Sequence, residues 1–211
     1  MRVTMIVVRH GHVEGIDIPR FRGRVHLPLT ASGLQQAEQT GEYVRRLAPH
    51  PAAIYSSPLT RCITTATTIG NPLGLAPIPT DGLNDIDYGS WQGRLVSEVA
   101  GEEPSAVAKW FEAPAQATIP DGETLHALSD RVHSAVANIV GAHAGDAVIV
   151  VGHDSVNRVL LLQALGLSLD RYWRIGQSPC AVSRLEYVDG QWSIESLNET
   201  GHLTPTLGLH S

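Results

Sequence analysis

Short unbroken apolar runs alternate along the chain with longer stretches in which apolar residues return every three to four positions. The run "VTMIVV" (residues 3–8) is continuous and β-branched, the pattern of a strand buried on both faces. After the turn-rich "LPLTASG", Leu34, Ala37, Gly41, Val44 and Leu47 recur at helical spacing and predict an amphipathic helix. "AAIYSS" reads as a second strand, and "SPLTRCITTATTIG" as a helix with Ser57 at its N-cap and Pro58 at its first position. "NPLG" ends that helix, and "LAPIPTDGL" offers a third strand. The clearest helix is "DGETLHALSDRVHSAVANIVGAH", with Asp121 as cap and Leu125, Leu128, Val132, Val136, Ile139 and Val140 on one stripe. "AVIVV" follows as another buried strand, then a helix over about residues 155–165. "AVSRLEYVDGQWSIESL" closes the pattern as a hairpin around "DG".

Strand and helix alternate through most of the chain. The fold class they predict is α/β: a three-layer sandwich, mainly parallel in its sheet, with helices on both faces. Residues 85–120 break the pattern, with several Gly and Pro and the acidic "EVAGEE". They read as a partly helical excursion capping the active-site crevice rather than as a separate domain. A length of 211 residues suits this single domain over 1–211.

Charge narrows the partners. A net charge of −6 argues against general affinity for nucleic acid or an anionic membrane, since either needs a basic face. An anionic small molecule must instead be met by a local basic pocket. Cys62 and Cys180 lie far apart with no CxxC spacing, and read as buried thiols of a reducing cytoplasm rather than as a disulfide. The opening "MRVTMIVV" is too short for a signal peptide, and no stretch reaches the ~20 apolar residues of a membrane span. The expected location is the cytoplasm.

The two best strands end alike: "MIVV" runs into "RHG" and "AVIVV" into "GHD", so His10 and His153 sit just past strand ends. Open α/β sheets bind ligands in that crevice. The helix after "AAIYSS" points its N-terminus and Arg61 to the same rim, and such termini favour anions. Arg9 and Arg61 with His10 and His153 describe an oxyanion site whose natural guest is phosphate. Charge packed beside a core costs energy unless something anionic is bound.

Two other chemistries fit less well. His10 and His12 as metal ligands lack a nearby carboxylate, and Arg9 between strand and ring repels a cation. Ser155 in "GHDS" lies at a strand-to-helix turn but lacks the G-x-S-x-G of a nucleophile elbow.

In this order, "RHG", "RFRG…LPLTASGLQQA", "YSSPLTRCITTA", "LNDIDYGSWQG", "PDGET" and "VVGHDSVNR" resemble the histidine phosphatase superfamily, in its phosphoglycerate mutase-like branch. The likeness runs from about residue 3 to residue 158. It implies a metal-independent phosphatase that hydrolyses a small phosphomonoester metabolite through a phosphohistidine on His10. Arg9, Arg61 and His153 would hold the equatorial oxygens. No cofactor is implied, because these donors supply the electrostatics that Mg²⁺ supplies in kinases.

The family's general acid maps to Asp85, one methylene shorter than the usual Glu. Asp154 competes, since "HD" resembles the phytase-like branch, and Asp87 is a third candidate. Gly11 would allow close backbone approach. Arg20 and Gly23 of "RFRGR" match the family pattern, and Arg20, Arg22 and Arg24 form a basic cluster that could receive a second anionic group or merely balance nearby acids. Arg20, Arg22, Gly23 and Asp154 are the expected substrate-side residues. Glu123 and Thr124 are expected to lean toward the pocket, His12 to be only a neighbour, and Val13 and Ile16 stand where relatives carry Thr and Asn. Phosphoglycerate mutase-type transfer and a non-catalytic phosphate-binding protein remain alternatives. Dimers are common among relatives, which leaves a homodimer open.

Overall fold

The computed structural model describes residues 1–204. Six strands form one sheet: β1 (Arg2–Arg9), β2 (Ala53–Ser56), β3 (Pro77–Pro79), β4 (Ala147–Gly152), β5 (Val182–Val188) and β6 (Gln191–Glu199). Their spatial order is β3-β2-β4-β1-β5-β6. The first four in that order pair in parallel, and β5 and β6 add antiparallel at the β1 edge. Asp189 and Gly190 both turn with positive φ, 46° and 92°, as a tight hairpin between twisted strands requires.

Among the described residues six α-helices accompany the strands: α1 (Ala31–Leu47), α2 (Thr60–Gly70), α3 (Val96–Glu102), α4 (Pro104–Glu112), α5 (Leu125–Ala142) and α6 (Asp154–Ala164). The unbroken apolar run of β1 has a direct reason. Val3, Met5 and Val7 pack with Leu125, Leu128 and Val132 of α5 and Val159 and Leu160 of α6. The alternate Ile6 and Val8 pack with Val44 of α1 and Ala66 and Ile69 of α2. A strand covered on both faces has no solvent side to mark with polar residues. Each such buried side chain is worth ~1.5–3 kcal/mol.

Two helix starts differ from the sequence expectation. α2 begins at Thr60 behind Leu59, not at Pro58, and has no side-chain cap. Ser57 still belongs to the strand ladder through its N–H to the Val151 carbonyl (3.0 Å), and its Oγ takes the Leu59 N–H (3.3 Å) and His153 Nε2 (2.8 Å), so the helix starts only after the Ser-Pro turn. α5 begins at Leu125, with the Thr124 hydroxyl accepting from the Ala127 N–H at 3.2 Å. Asp121 instead takes the left-handed conformation (φ 56°) in the turn before it.

The stretch 85–120 carries α3, α4 and short 3-10 turns, and its roots are in the core. Trp91 and Trp110 are fully buried there. It is stitched to the loop that bears Arg20 and Arg22: Phe21 N–H bonds the Arg94 carbonyl and Val96 N–H the Pro19 carbonyl, each at 3.0 Å. A 3-10 segment, Leu169–Arg174, braces it from outside, with Trp173 edge-on to Trp110 at 5.6 Å. Cys62 and Cys180 are free and buried. Among the described residues no helix is long and apolar enough to cross a membrane.

Candidate active site

The register of β1 on β4 pairs Arg9 with Gly152, so His10 and His153 leave the sheet side by side. Their rings lie 5.4 Å apart, edge to face. His10 is 3% exposed, and its Nδ1 lies 2.8 Å from the Gly11 carbonyl. A carbonyl only accepts, so Nδ1 carries the proton and Nε2 keeps its lone pair. Burial, then Arg9 and Arg61, push the His10 pKa well below 6.5. The ring is therefore neutral at pH 7 and able to attack an electrophile.

The loop behind it is held by absence of side chains. The Gly11 N–H donates to Thr65 Oγ1 at 3.0 Å, and a Cβ on Gly11 would stand 2.5 Å from the Gly33 carbonyl of α1. His12, half-buried, bonds Thr30 Oγ1 through Nδ1 at 2.9 Å. Val13 is fully buried.

Arg61 is the hub. It is 1% exposed and donates from Nη2 to Asp85 Oδ2 (2.8 Å) and the Gly23 carbonyl (2.7 Å), from Nη1 to the Val25 carbonyl (2.8 Å), and from Nε to His153 Nδ1 (3.2 Å). Because Arg61 donates to Nδ1, the His153 proton sits on Nε2 and is given to Ser57 Oγ at 2.8 Å. Burial and the adjacent Arg61 keep His153 neutral, well below pKa 6.5. His153 is wholly enclosed and stands one layer behind the pocket wall, backing His10 and Arg61.

Asp85 accepts at Oδ1 from the Ile86 N–H (2.9 Å) and from the Ser155 hydroxyl. Burial raises its pKa against the pull of Arg61. Ser155 thus serves Asp85, which disposes of the nucleophile-elbow reading. Asp154, at the start of α6, is the opposite case. Burial pushes its pKa up, but Arg9, Arg158 and His10 outweigh that and hold it at about 2. Its Oδ2 lies 3.1 Å from Arg158 Nη1.

Arg9, His10, Arg20, Arg22, Gly23, Arg61, Asp85, Tyr88 and Asp154 together line a pocket of about 60 Å³. The structure thus gathers every expected site residue except Gly11 and His153, which support the wall from behind. Arg9 donates from Nη1 to the Gln177 carbonyl at 2.5 Å, while its buried Nε has no protein partner. Burial, Arg9 and further cations lower the Arg22 pKa, a sign of guanidinium groups crowded together. Gly23 sits at φ +48° with its would-be Cβ 2.9 Å from the Ile86 carbonyl, a position only glycine fills without strain. Glu123 and Thr124 do not lean into the pocket as expected: Glu123 pairs with Arg131 and Thr124 caps α5. Arg24 balances an acid, the other reading open for it, by pairing at 3.1 Å with Asp87, the third candidate acid, which does not line the pocket either.

Tyr88, Ser57, Arg158 and Gln177 were not foreseen. Tyr88 lay within a quoted motif and Ser57 was read only as a helix cap. Gln177 comes from an irregular connection with no periodicity to flag it.

A cationic crevice with a neutral histidine at the carboxyl ends of a mainly parallel sheet defines an α/β protein with an anion site. Residues 5–200 match the model of the histidine phosphatase superfamily (branch 1), and the chain belongs to that family. It is 31% identical over 201 residues to phosphoserine phosphatase 1 of Hydrogenobacter thermophilus, covering 95% of this chain and 94% of that protein. It is also 31% identical over 206 residues to a Salmonella arizonae protein named as a probable phosphoglycerate mutase, GpmB, covering 95% of each. Among solved structures, YhfR of Bacillus stearothermophilus superposes with a TM-score of 0.90 at 26% identity, covering 96% of this chain and all (100%) of that one. A mycobacterial glucosyl-3-phosphoglycerate phosphatase shares the fold with a TM-score of 0.86 at 22% identity, covering 95% of this chain and 100% of that one.

Proposed function

We propose that this protein hydrolyses a small phosphomonoester metabolite through a phosphohistidine on His10, without a metal. The observation that carries the reading is the neutral, Nδ1-protonated His10 at a pocket walled by Arg9, Arg20, Arg22 and Arg61. A phosphoryl group is the guest that relieves that crowding and satisfies the free Arg9 Nε. The curated phosphatase relative in the same family supports the same chemistry.

His10 Nε2 attacks phosphorus in line with the leaving oxygen, forming the P–N bond as the P–O bond breaks. Arg9, Arg22 and Arg61 stabilise the charge on the equatorial oxygens. His153 acts through Arg61, whose Nε it fixes, and through its edge contact with His10. Asp85, whose pKa burial raises, acts as the acid that gives its proton to the leaving alkoxide. It then takes a proton from the water that breaks the P–N bond, releasing inorganic phosphate and neutral His10. Asp154, ionised down to about pH 2, has no proton to give. The two buried free thiols suit a reducing compartment such as the cytoplasm.

The test compares wild type with His10→Ala on p-nitrophenyl phosphate in excess EDTA, scored by free phosphate. Wild type should turn over without a bisphosphate primer and form an acid-labile phosphoenzyme, while the variant should do neither. Equal rates in the two proteins would sink the proposal. A requirement for bisphosphate with little phosphate release would favour mutase-type transfer.

A further inference from the structure

One ionised group in the pocket has no part in that mechanism. Asp154 faces the same small space as four arginines, and a carboxylate beside a bound phosphoryl dianion weakens its binding by like-charge repulsion. Placement in the first turn of α6 is favourable for an acid, but that would be satisfied by a side chain turned to solvent. Nor does Arg158 depend on Asp154 for its position. Arg158 donates from Nε to the Ile175 carbonyl at 2.9 Å and lies over the Tyr172 and Trp173 rings at 5.2 and 4.9 Å. Only Oδ2 of Asp154 meets Arg158; Oδ1 has no side-chain partner, and the carboxylate is 35% exposed at the pocket. The Ser155 N–H also bonds the carboxylate, but its exposed edge keeps lone pairs that suit a cationic donor brought by the substrate.

We propose that Asp154 anchors an ammonium group on the leaving-group side of the substrate, so that the site prefers phosphomonoesters of amino acids and amino alcohols to those of hydroxy acids and simple diols. The assignment rests on the phosphatase reading and adds the substrate class to it. Arg20, which lines the same pocket and is not used on the phosphoryl group, remains available to a carboxylate on the same molecule. An O-phosphoamino acid presents all three groups: phosphoryl, ammonium and carboxylate.

Two matched pairs test this. O-phosphoserine and 3-phosphoglycerate differ in carrying ammonium or hydroxyl at the middle carbon; O-phosphoethanolamine and 2-hydroxyethyl phosphate differ in the same way without a carboxylate. In wild type the ammonium member of each pair should have a kcat/KM higher by about tenfold or more, the scale of one hydrogen bond to a charged partner. In Asp154→Asn that ratio should collapse toward one. A wild-type ratio near one, or a ratio unchanged by Asp154→Asn, overturns the proposal. Calorimetric binding to the His10→Ala protein gives a readout independent of turnover. Phosphoserine should bind it about tenfold tighter than 3-phosphoglycerate, and equal affinity overturns the ammonium site even where hydrolysis is seen. Should that binding preference hold while wild type hydrolyses none of the four esters, the phosphatase reading fails and the ammonium site stands.

Discussion

Arg61→Met swaps the hub of the crevice for an apolar side chain of similar length. Four acceptors lose their donor: Asp85 Oδ2, the Gly23 and Val25 carbonyls, and His153 Nδ1. Asp85 is 6% exposed, so its carboxyl is left buried without its arginine partner. Breaking a buried ion pair by removing one partner costs ~3–5 kcal/mol, and an orphaned buried carbonyl ~1–3 kcal/mol. Asp85 escapes part of this by taking up a proton, which its already raised pKa favours. The net expectation is ~4 kcal/mol, or a fall in Tm of about 8–16 °C for a chain of this size. Asp85→Asn should cost less, ~1–3 kcal/mol: the amide oxygen still accepts from Arg61 and the Ser155 hydroxyl can reverse to accept from the amide, while the Ile86 N–H loses its acceptor. The double variant should be less destabilised than the singles added together, by ~1–3 kcal/mol, because the uncompensated carboxylate has gone. The pH dependence has a fixed sign. In Arg61→Met the folded pKa of Asp85 is raised further above its unfolded value, so its stability is best at low pH and is lost as pH rises through the folded pKa. Urea titrations of the four proteins at pH 5 and pH 8 measure all of this. Strict additivity, or an Arg61→Met loss under ~1 kcal/mol, would refute the view that Arg61 and Asp85 form one unit.

Gly11→Ala places a Cβ 2.5 Å from backbone that cannot give way easily, so it should lower stability by ~2 kcal/mol or more and displace His10, seen as a fall in both Tm and kcat. NMR titration of the ring nitrogens in the free protein should find His10 still neutral at pH 6.5, with Nδ1 protonated; a midpoint at or above 6.5 would contradict the burial and cationic surroundings assigned to it. Asp85→Asn should slow hydrolysis of alkyl phosphates by ~10²-fold or more and of p-nitrophenyl phosphate far less, since a good leaving group needs no proton. If Asp154→Asn shows that pattern and Asp85→Asn does not, the acid has been assigned to the wrong carboxyl.

The layers were legible because burial on two faces leaves continuous apolar runs, and β1 and β4 carry the clearest of them. The helix starts were not, since both competing caps are polar residues within three positions of the true boundary, and only the strand ladder through Ser57 and the left-handed turn at Asp121 decide between them. His10 and Arg9 could be placed from sequence because a strand's end fixes where the next residue must stand. The partners of those residues could not. Ser155 and Ser57 each take up a role through contacts across 70 and 96 residues of chain, and no local pattern encodes such a distance. The arginines of "RFRGR" show the same limit: side chains of equal charge two residues apart divide between the pocket (Arg20, Arg22) and a surface pairing with Asp87 (Arg24).

The two competing carboxyls are separated by what surrounds them rather than by their distance from the strand ends. Both line one pocket; Asp85 stands beside Arg61, and Asp154 near Arg9 and Arg158. Asp85 is enclosed, with one cation that is itself shared among three other acceptors, so desolvation outweighs it and the pKa rises. Asp154 is open along one side and faces Arg9 and Arg158 while Arg158 is buttressed from elsewhere, so the cations win and the charge is kept. Environments that push two acids apart assign one to proton transfer and the other to electrostatics. The shorter side chain at position 85 belongs to the same logic. An aspartate held by Ser155, Ile86 and Arg61 is retracted into the wall, where burial raises its pKa, and the leaving oxygen must come to it. A small leaving group that seats deeply, tethered by its own charge to Asp154, is the kind that can.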